Sequence, residues 1–472
     1  MRHEEGIARV THPYMPNSAP ATLDRMMRSL GIADVDVLFE QIPADHLLAK
    51  PIDLPAGVRS ESRLDRRLRD LLRRNTGTTE AISFLGGGCW PHYVPAVCDE
   101  IAGRSEFLTP VWGTPSSDVG RNQAWFEFAA QLGELLGMEF VGLPVYSWGA
   151  AAGFAIRMAA RMTGRSEVVL AGPMDPERGA VIRTYCGPAE SRRAITVREV
   201  GFDPATGRVD LAALRAALGP DTAAVYVENP NFLGVLEADV AEIASLAHAA
   251  GAEVIVGVDP ISLGLLAAPA DYGADIAVGT TQPLGVHMNA GGGVGGFIAT
   301  RDEERYAREY PTLQVSIAET TEPGQRSFGM TLFHQSSYGL REDGNDWTGN
   351  SVYLWAVVNA VYMALMGPQG FAEIGDTIAA NSSYAADRLG RVPGLGIRWR
   401  GFFKEFVVDF TGTGRTVAEI NAALRDRGIF GGKDLSAAFP ELGQAALYCV
   451  TEVHTAEDIS ALVTALEEVI AA

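Results

Sequence analysis

The chain is poor in lysine. Lys50, Lys404 and Lys433 are the only three in 472 residues, so the whole stretch between Lys50 and Lys404 offers no side-chain amine. Positive charge is carried almost entirely by arginine, which stays protonated and is a poor nucleophile. Chemistry that needs an amine to attack a carbonyl has no group to use there. Cysteine is also sparse: Cys89, Cys98, Cys186 and Cys449 form no CxxC pair and have no histidine at ligand spacing, so no metal centre is expected. Such cysteines read as reduced, apolar packing residues. Net positive charge is missing: 38 Lys+Arg against 58 Asp+Glu leave −20, which argues against nucleic acid or an anionic membrane as partner. No uninterrupted apolar run reaches the ~18 residues of a membrane span. Arg2, Glu4, Glu5 and Arg9 make the first residues unlike a secretory signal. The expectation is a soluble, cytoplasmic protein.

What is present is an ordinary globular balance, 47% hydrophobic and 20% charged, in a chain too long for one core. Residues 1–75 read as a helical arm. Within it, Arg59 to Arg74 is strongly charged, with Leu64, Leu68, Leu71 and Leu72 on one face at helical spacing. From Ala81 the texture changes. Ser166–Ala171, Ala223–Val227, Glu253–Asp259 and Asp275–Gly279 are short apolar runs that read as buried parallel strands. Asp210–Leu218 and Ala238–Ala250 lie between them with helical periodicity, so residues 76–340 read as a large α/β domain with a mostly parallel sheet. An apolar helix from Val352 is expected to stop at Gly367-Pro368. Residues 341–472 read as that helix followed by a smaller α+β lobe.

Several features bear on chemistry. Gly86-Gly87-Gly88, Gly149 to Gly153 and Gly291-Gly292-Gly293 let backbone N–H groups approach an anion, but none matches a nucleotide fingerprint, and tight packing explains each equally well. Asp259 ends an apolar strand before Pro260, where α/β folds place ligand-facing groups. In pyridoxal-phosphate enzymes of this architecture an aspartate there pairs with the pyridinium nitrogen; a turn or cap carboxylate is the alternative. His92 lies beside Trp90 and Tyr93, and nothing in its spacing marks a catalytic triad.

In order along the chain, Tyr14-Met-Pro-Asn17, Phe84-Leu-Gly-Gly-Gly88, His92-Tyr-Val-Pro95, Pro230-Asn-Phe-Leu-Gly-Val235 and Val258-Asp-Pro-Ile-Ser262 resemble one family. Tyr272-Gly-Ala-Asp-Ile-Ala-Val-Gly279, Gln282-Pro-Leu-Gly285, Phe402-Phe-Lys-Glu-Phe406 and Cys449-Val-Thr-Glu452 continue the match. The family is the P-protein of the glycine cleavage system, in its split form, first subunit. The resemblance implies a fold-type-I pyridoxal-phosphate scaffold with a large doubly wound domain and a smaller C-terminal domain. It further implies an αβ heterodimer paired into a heterotetramer, glycine as substrate, and a lipoylated carrier protein as acceptor of the aminomethyl group. Pyridoxal phosphate is expected to be held covalently only by the second subunit. The scaffold places its Schiff-base lysine shortly after the Asp275–Gly279 strand, where this chain has Thr280-Thr281-Gln282, while Lys404 and Lys433 belong to the C-terminal lobe. No catalytic residue is therefore assigned to this chain. By family-like position, His92, Gly149, Asn231, Asp259, Arg326 and Arg341 are the candidates for cofactor contact or pocket wall.

Some loops depart from the family pattern. Ser147-Trp148-Gly149-Ala150-Ala151 replaces Tyr-Asp-Gly-Ala-Thr, and Arg341-Glu-Asp343 has an acid where the family has a base. Such changes fit drift in a non-catalytic subunit, a pocket reshaped by a diverged paralogue for another amino acid, or a scaffold that only supports or regulates its partner.

Overall fold

Runs of valine, isoleucine and alanine, cut off by glycine, proline or aspartate, build the central sheet. The computed structural model describes residues 11–12, 14–48, 52–55, 57–108, 115–187, 194–289, 294–331, 337–348 and 351–471. The Gly291-Gly292-Gly293 stretch and Lys50 lie outside these. Seven strands form the sheet: β1 (Phe140–Val141), β2 (Glu167–Ala171), β3 (Thr196–Val200), β4 (Thr222–Glu228), β5 (Glu253–Val258), β6 (Ile276–Thr280) and β7 (Gly296–Thr300). Their order is β1-β7-β6-β5-β4-β2-β3. From β6 to β3 all neighbours are parallel, and β7 runs antiparallel to both β6 and β1. β4 and β5 are buried at every position, as strands covered on both faces must be. β3 is the edge, and its Thr-Val-Arg-Glu-Val sequence exposes Thr196, Arg198 and Glu199.

The chain divides into two units, Met1–Thr76 and Gly77–Ala472. The first holds α1 (Pro20–Leu30) and α2 (Glu61–Leu72) joined by 3-10 turns. The Ser60 hydroxyl caps α2 by accepting the Arg63 N–H.

In the second unit α3 (Trp148–Thr163) lies on the sheet. The Ser147 hydroxyl accepts the Ala150 N–H at 3.2 Å, and Gly164 closes the other end in the left-handed conformation. Its Gly/Ala-rich first half is buried throughout, because small side chains let it approach the strands closely. α4 (Pro176–Cys186) packs against it. α5 (Tyr353–Leu389) is two helical segments: the first stops at Gly367 (φ 58°, ψ 179°), as expected, but helix resumes at once. Proline loses nothing at the first position of a helix, so Pro368 begins a second helical segment as well as ending the first. The C-terminal lobe contains an antiparallel sheet of β8 (Gly396–Ile397), β9 (Glu405–Asp409), β10 (Lys433–Asp434) and β11 (Ala445–Cys449), in the order β8-β9-β11-β10. Two helices, Val417–Arg425 and Ala456–Ala471, bury their apolar faces with this sheet in one core. Among the described residues, no helix is long and apolar enough to cross a membrane.

Two backbone seams position the site. Ile82–Ser83 pairs in parallel with Ile429–Phe430, and Cys449 N–H donates to Phe84 O, so the segment leading to His92 is fastened to the C-terminal lobe. The turn after β4 is fastened to the same lobe, through the Val235–Phe402 bridge and Leu236 N–H donating to Gly401 O. There Gly234 (φ 85°) rests directly on the Glu405 carbonyl, a place no side chain could occupy.

Candidate active-site cleft

Asp259 follows the last residue of β5, at the carboxyl end of the parallel strands. Its two oxygens have different work. Oδ1 accepts the Ile261 N–H at 3.2 Å and caps the turn Pro260–Gly264. Oδ2 lies 2.7 Å from Lys404 Nζ, in an ion pair with both side chains about 95% or more buried. The turn carboxylate and the cleft-facing carboxylate are thus the same residue.

Lys404 had been set aside with the C-terminal lobe; the structure corrects this. The seams just described carry Phe402–Glu405 over the carboxyl end of the sheet, and the side chain reaches into the cleft. Its ammonium stands 3.4 Å from the centre of the Trp90 ring, a cation–π contact, and 3.1 Å from His92 Nε2. His92 Nδ1 is 2.9 Å from Glu452 Oε2, and Glu452 Oε1 accepts the Tyr93 N–H. An ammonium only donates, so His92 Nε2 accepts from Lys404 and Nδ1–H donates to Glu452, which fixes the tautomer. Next along β9, Glu405 accepts the Gly87 N–H at 2.6 Å. Burial pushes its carboxyl up, against the pull of Lys404 and that N–H.

A second buried cluster faces the same space. Arg178, from α4, brings Nη1 to 2.6 Å from both Glu228 oxygens and stacks 3.8 Å from the Trp148 ring centre. Trp148 Nε1–H donates to Tyr226 Oη, which donates to Glu228. Burial alone would lower the Arg178 pKa, but Glu228 and Tyr226 reverse the effect and hold it above its ordinary value. Gly257 makes the cluster possible: a Cβ there would stand 2.7 Å from Tyr226 Oη and 3.0 Å from Trp148 Nε1. Between the two clusters the walls leave about 20 Å³, little more than a water molecule takes. An adjoining cleft of about 240 Å³ shares Gly87, Gly88, Trp90, Trp148 and Arg178 as wall and adds Asp175, Glu177 and Thr280.

The candidates separate accordingly. His92 and Asp259 meet at Lys404. Asn231 lines the cavity, but its amide is spent on Gly207 O and Glu237, and its oxygen on the Leu233 and Val235 N–H groups. Gly149 lines the adjoining cleft and packs on Val181. Arg326 is exposed at the start of a strand paired with Gln314–Glu319, Arg341 (φ 51°) sits in an exposed turn, and neither lines the cavity. Lys404, Glu452, Trp90, Trp148, Arg178 and Glu228 were not foreseen as site residues. A signal existed for three: the scarcity of lysine and the Phe402–Phe406 motif for Lys404, the Cys449–Glu452 motif for Glu452, and the departing Ser147–Ala151 turn for Trp148.

The sequence model described as glycine cleavage system P-protein matches residues 12–466. The chain belongs to that family. The curated relatives include "probable glycine dehydrogenase (decarboxylating) subunit 1" of Staphylothermus marinus, 35% identical over 98% of both chains. The protein of that name from Thermococcus onnurineus is 36% identical over 97% of this chain and 99% of its own. A crystal structure of glycine decarboxylase (P-protein) in inhibitor-bound form superposes with a TM-score of 0.85 at 32% identity, covering 98% of this chain and 100% of that one. Sphingosine-1-phosphate lyase of Burkholderia pseudomallei shares the fold, with a TM-score of 0.64 at 16% identity over 90% of this chain and 93% of its own. The scaffold is that of fold-type-I pyridoxal-phosphate enzymes.

The P-protein family uses pyridoxal phosphate, but the residues of this cleft do not fit it. Thr280, Thr281 and Gln282 supply no amine after β6, Asp259 is already engaged by Lys404, and the space left beside it cannot admit a pyridine ring.

Proposed function

We propose that this P-protein chain is subunit 1 of a glycine dehydrogenase (decarboxylating), working in the cytoplasm with a second subunit that holds pyridoxal phosphate on its own lysine. The assembled enzyme decarboxylates glycine and passes the aminomethyl group to a lipoylated carrier protein. The observation that carries this reading is end-to-end similarity to proteins named subunit 1, in a chain with Thr280-Thr281-Gln282 and no lysine directly after β6. This chain then contributes scaffold and interface rather than reacting groups, and is not catalytic alone. The exposed leucines of α2 are the surface we assign to the second subunit, within an α2β2 assembly. Co-purification with the second subunit, followed by glycine-dependent bicarbonate exchange with lipoylated carrier, tests it. Exchange by the pair and by neither chain alone is expected; an active pair that accepts a different amino acid instead of glycine rejects the substrate.

A further inference from the structure

We propose that this chain's own cleft is closed to pyridoxal phosphate, covalently bound or not, because Lys404 is its resident cation. The ammonium holds the Asp259 carboxylate that a protonated pyridine ring would need. Asp259 is engaged through both oxygens, since Oδ1 caps the turn at Ile261 and Oδ2 forms an ion pair with Nζ at 2.7 Å. Lys404 is held as firmly in return. Asp259, the face of Trp90 and His92 Nε2 surround its nitrogen, and the residue is 3% exposed. A ring that displaced it would strand a buried ammonium without its counter-ion, a costly exchange.

The opposite side of the cleft is equally spent. Arg178 is clamped by Glu228 and stacked on Trp148, the first residue of α3. Asp175 and Glu177 add carboxylates to the adjoining cleft, where a phosphate arm would meet like charge. At the N-terminus of α3 the Ser147 hydroxyl already takes the Ala150 N–H. Ring and phosphate are each opposed by a different group, the cofactor aldehyde finds no lysine at Thr280-Thr281-Gln282, and the geometry therefore describes a self-liganded remnant of a cofactor site. The inference rests on reading this cleft as the counterpart of the cofactor cleft in the fold, and not on glycine being the substrate.

The full chain is titrated with pyridoxal phosphate while tryptophan emission is followed, then reduced with borohydride and mapped by mass spectrometry. No saturable quenching and no label on Lys404 are expected. Saturable binding near one equivalent, or a reduced adduct on Lys404 in the folded chain, overturns the proposal. In parallel, native chain is reductively methylated with formaldehyde. Lys404 should react at least about tenfold more slowly than half-buried Lys433, because it is reached only by local opening. Equal rates overturn closure. Cofactor counted in the pair with the second subunit should be one per two chains, and two per two chains is contrary. A pair with no cofactor, beside a chain that binds none, leaves this inference standing and removes the proposed function.

Discussion

Around Asp259, charged side chains are packed where water scarcely reaches, whereas on α2 the leucines are the exposed groups. Asp259, Lys404, Arg178 and Glu228 are all less than 10% exposed, yet Leu64, Leu68, Leu71 and Leu72 are 42–63% exposed. Each of these buried charges has an oppositely charged partner within 2.7 Å, so the cleft pairs its charges internally. The α2 stripe has no such closure, and an apolar face among arginines is the mark of a surface awaiting a partner. The cleft spends its charges on one another, while the α2 leucines find no such company within the arm.

The largest test breaks the packed side. Lys404→Met leaves the Asp259 carboxylate buried without its cation, and should destabilise the folded chain by about 3–5 kcal/mol in urea unfolding. Asp259→Asn, which keeps the cap at Ile261, should lose a comparable amount. The double variant should recover more than half of either loss, since neither charge is then stranded. If Lys404→Met unfolds at the parental urea concentration, the ion pair is not what closes the cleft.

A buried carboxyl in which burial outweighs the pull of the nearby Arg208 offers the converse. Burial pushes Glu237 up to about 7, although Asn231 and the Val209 N–H both donate to it. A carboxyl raised from its unfolded value of 4.5 holds its proton more tightly when folded. Its contribution is therefore fully present below pH 4.5 and is lost as pH rises through about 7, a span of about 3 kcal/mol. Glu237→Gln should remove that slope between these pH values. A variant whose stability tracks the parent with pH shows that the carboxyl titrates normally.

Gly257→Ala is a smaller intrusion. Its methyl group would press on Tyr226 Oη and Trp148 Nε1 at 2.7 and 3.0 Å, so a loss of about 2 kcal/mol is expected. A neutral result in the same unfolding assay would mean that the Trp148–Arg178 stack can move aside.

How much of this was legible in the sequence depended on distance along the chain. The buried strands β4, β5 and β6 showed as apolar runs because both faces are covered. β3 did not, because an edge strand with Arg198 and Glu199 outward has no such run. Asp259 was legible for a local reason, the end of a strand before proline. Lys404 was visible as a rare residue, but its place beside Asp259 depends on the seams at Val235–Phe402 and Leu236–Gly401, which no local pattern records. Likewise Trp148 was seen as a departure from the family turn. That its ring would stack on Arg178 needed the packing of α3 against α4.

The smallest effect on the chain itself should come from the arm. Leu68→Ser with Leu71→Ser alters side chains already half in water, so the stability of the chain should change by no more than about 0.5 kcal/mol. Deletion of residues 1–76 should likewise leave the Gly77–Ala472 unit folded, because that unit is compact by its own contacts. Association is the sensitive readout. If α2 is the clasp for the second subunit, losing two leucines from its apolar stripe should weaken the pair at least about tenfold, or ~1.4 kcal/mol. Sedimentation of parent and variant with the second subunit measures this. Unchanged affinity, with the arm deleted as well, would leave the exposed leucines unexplained and move the interface onto the body.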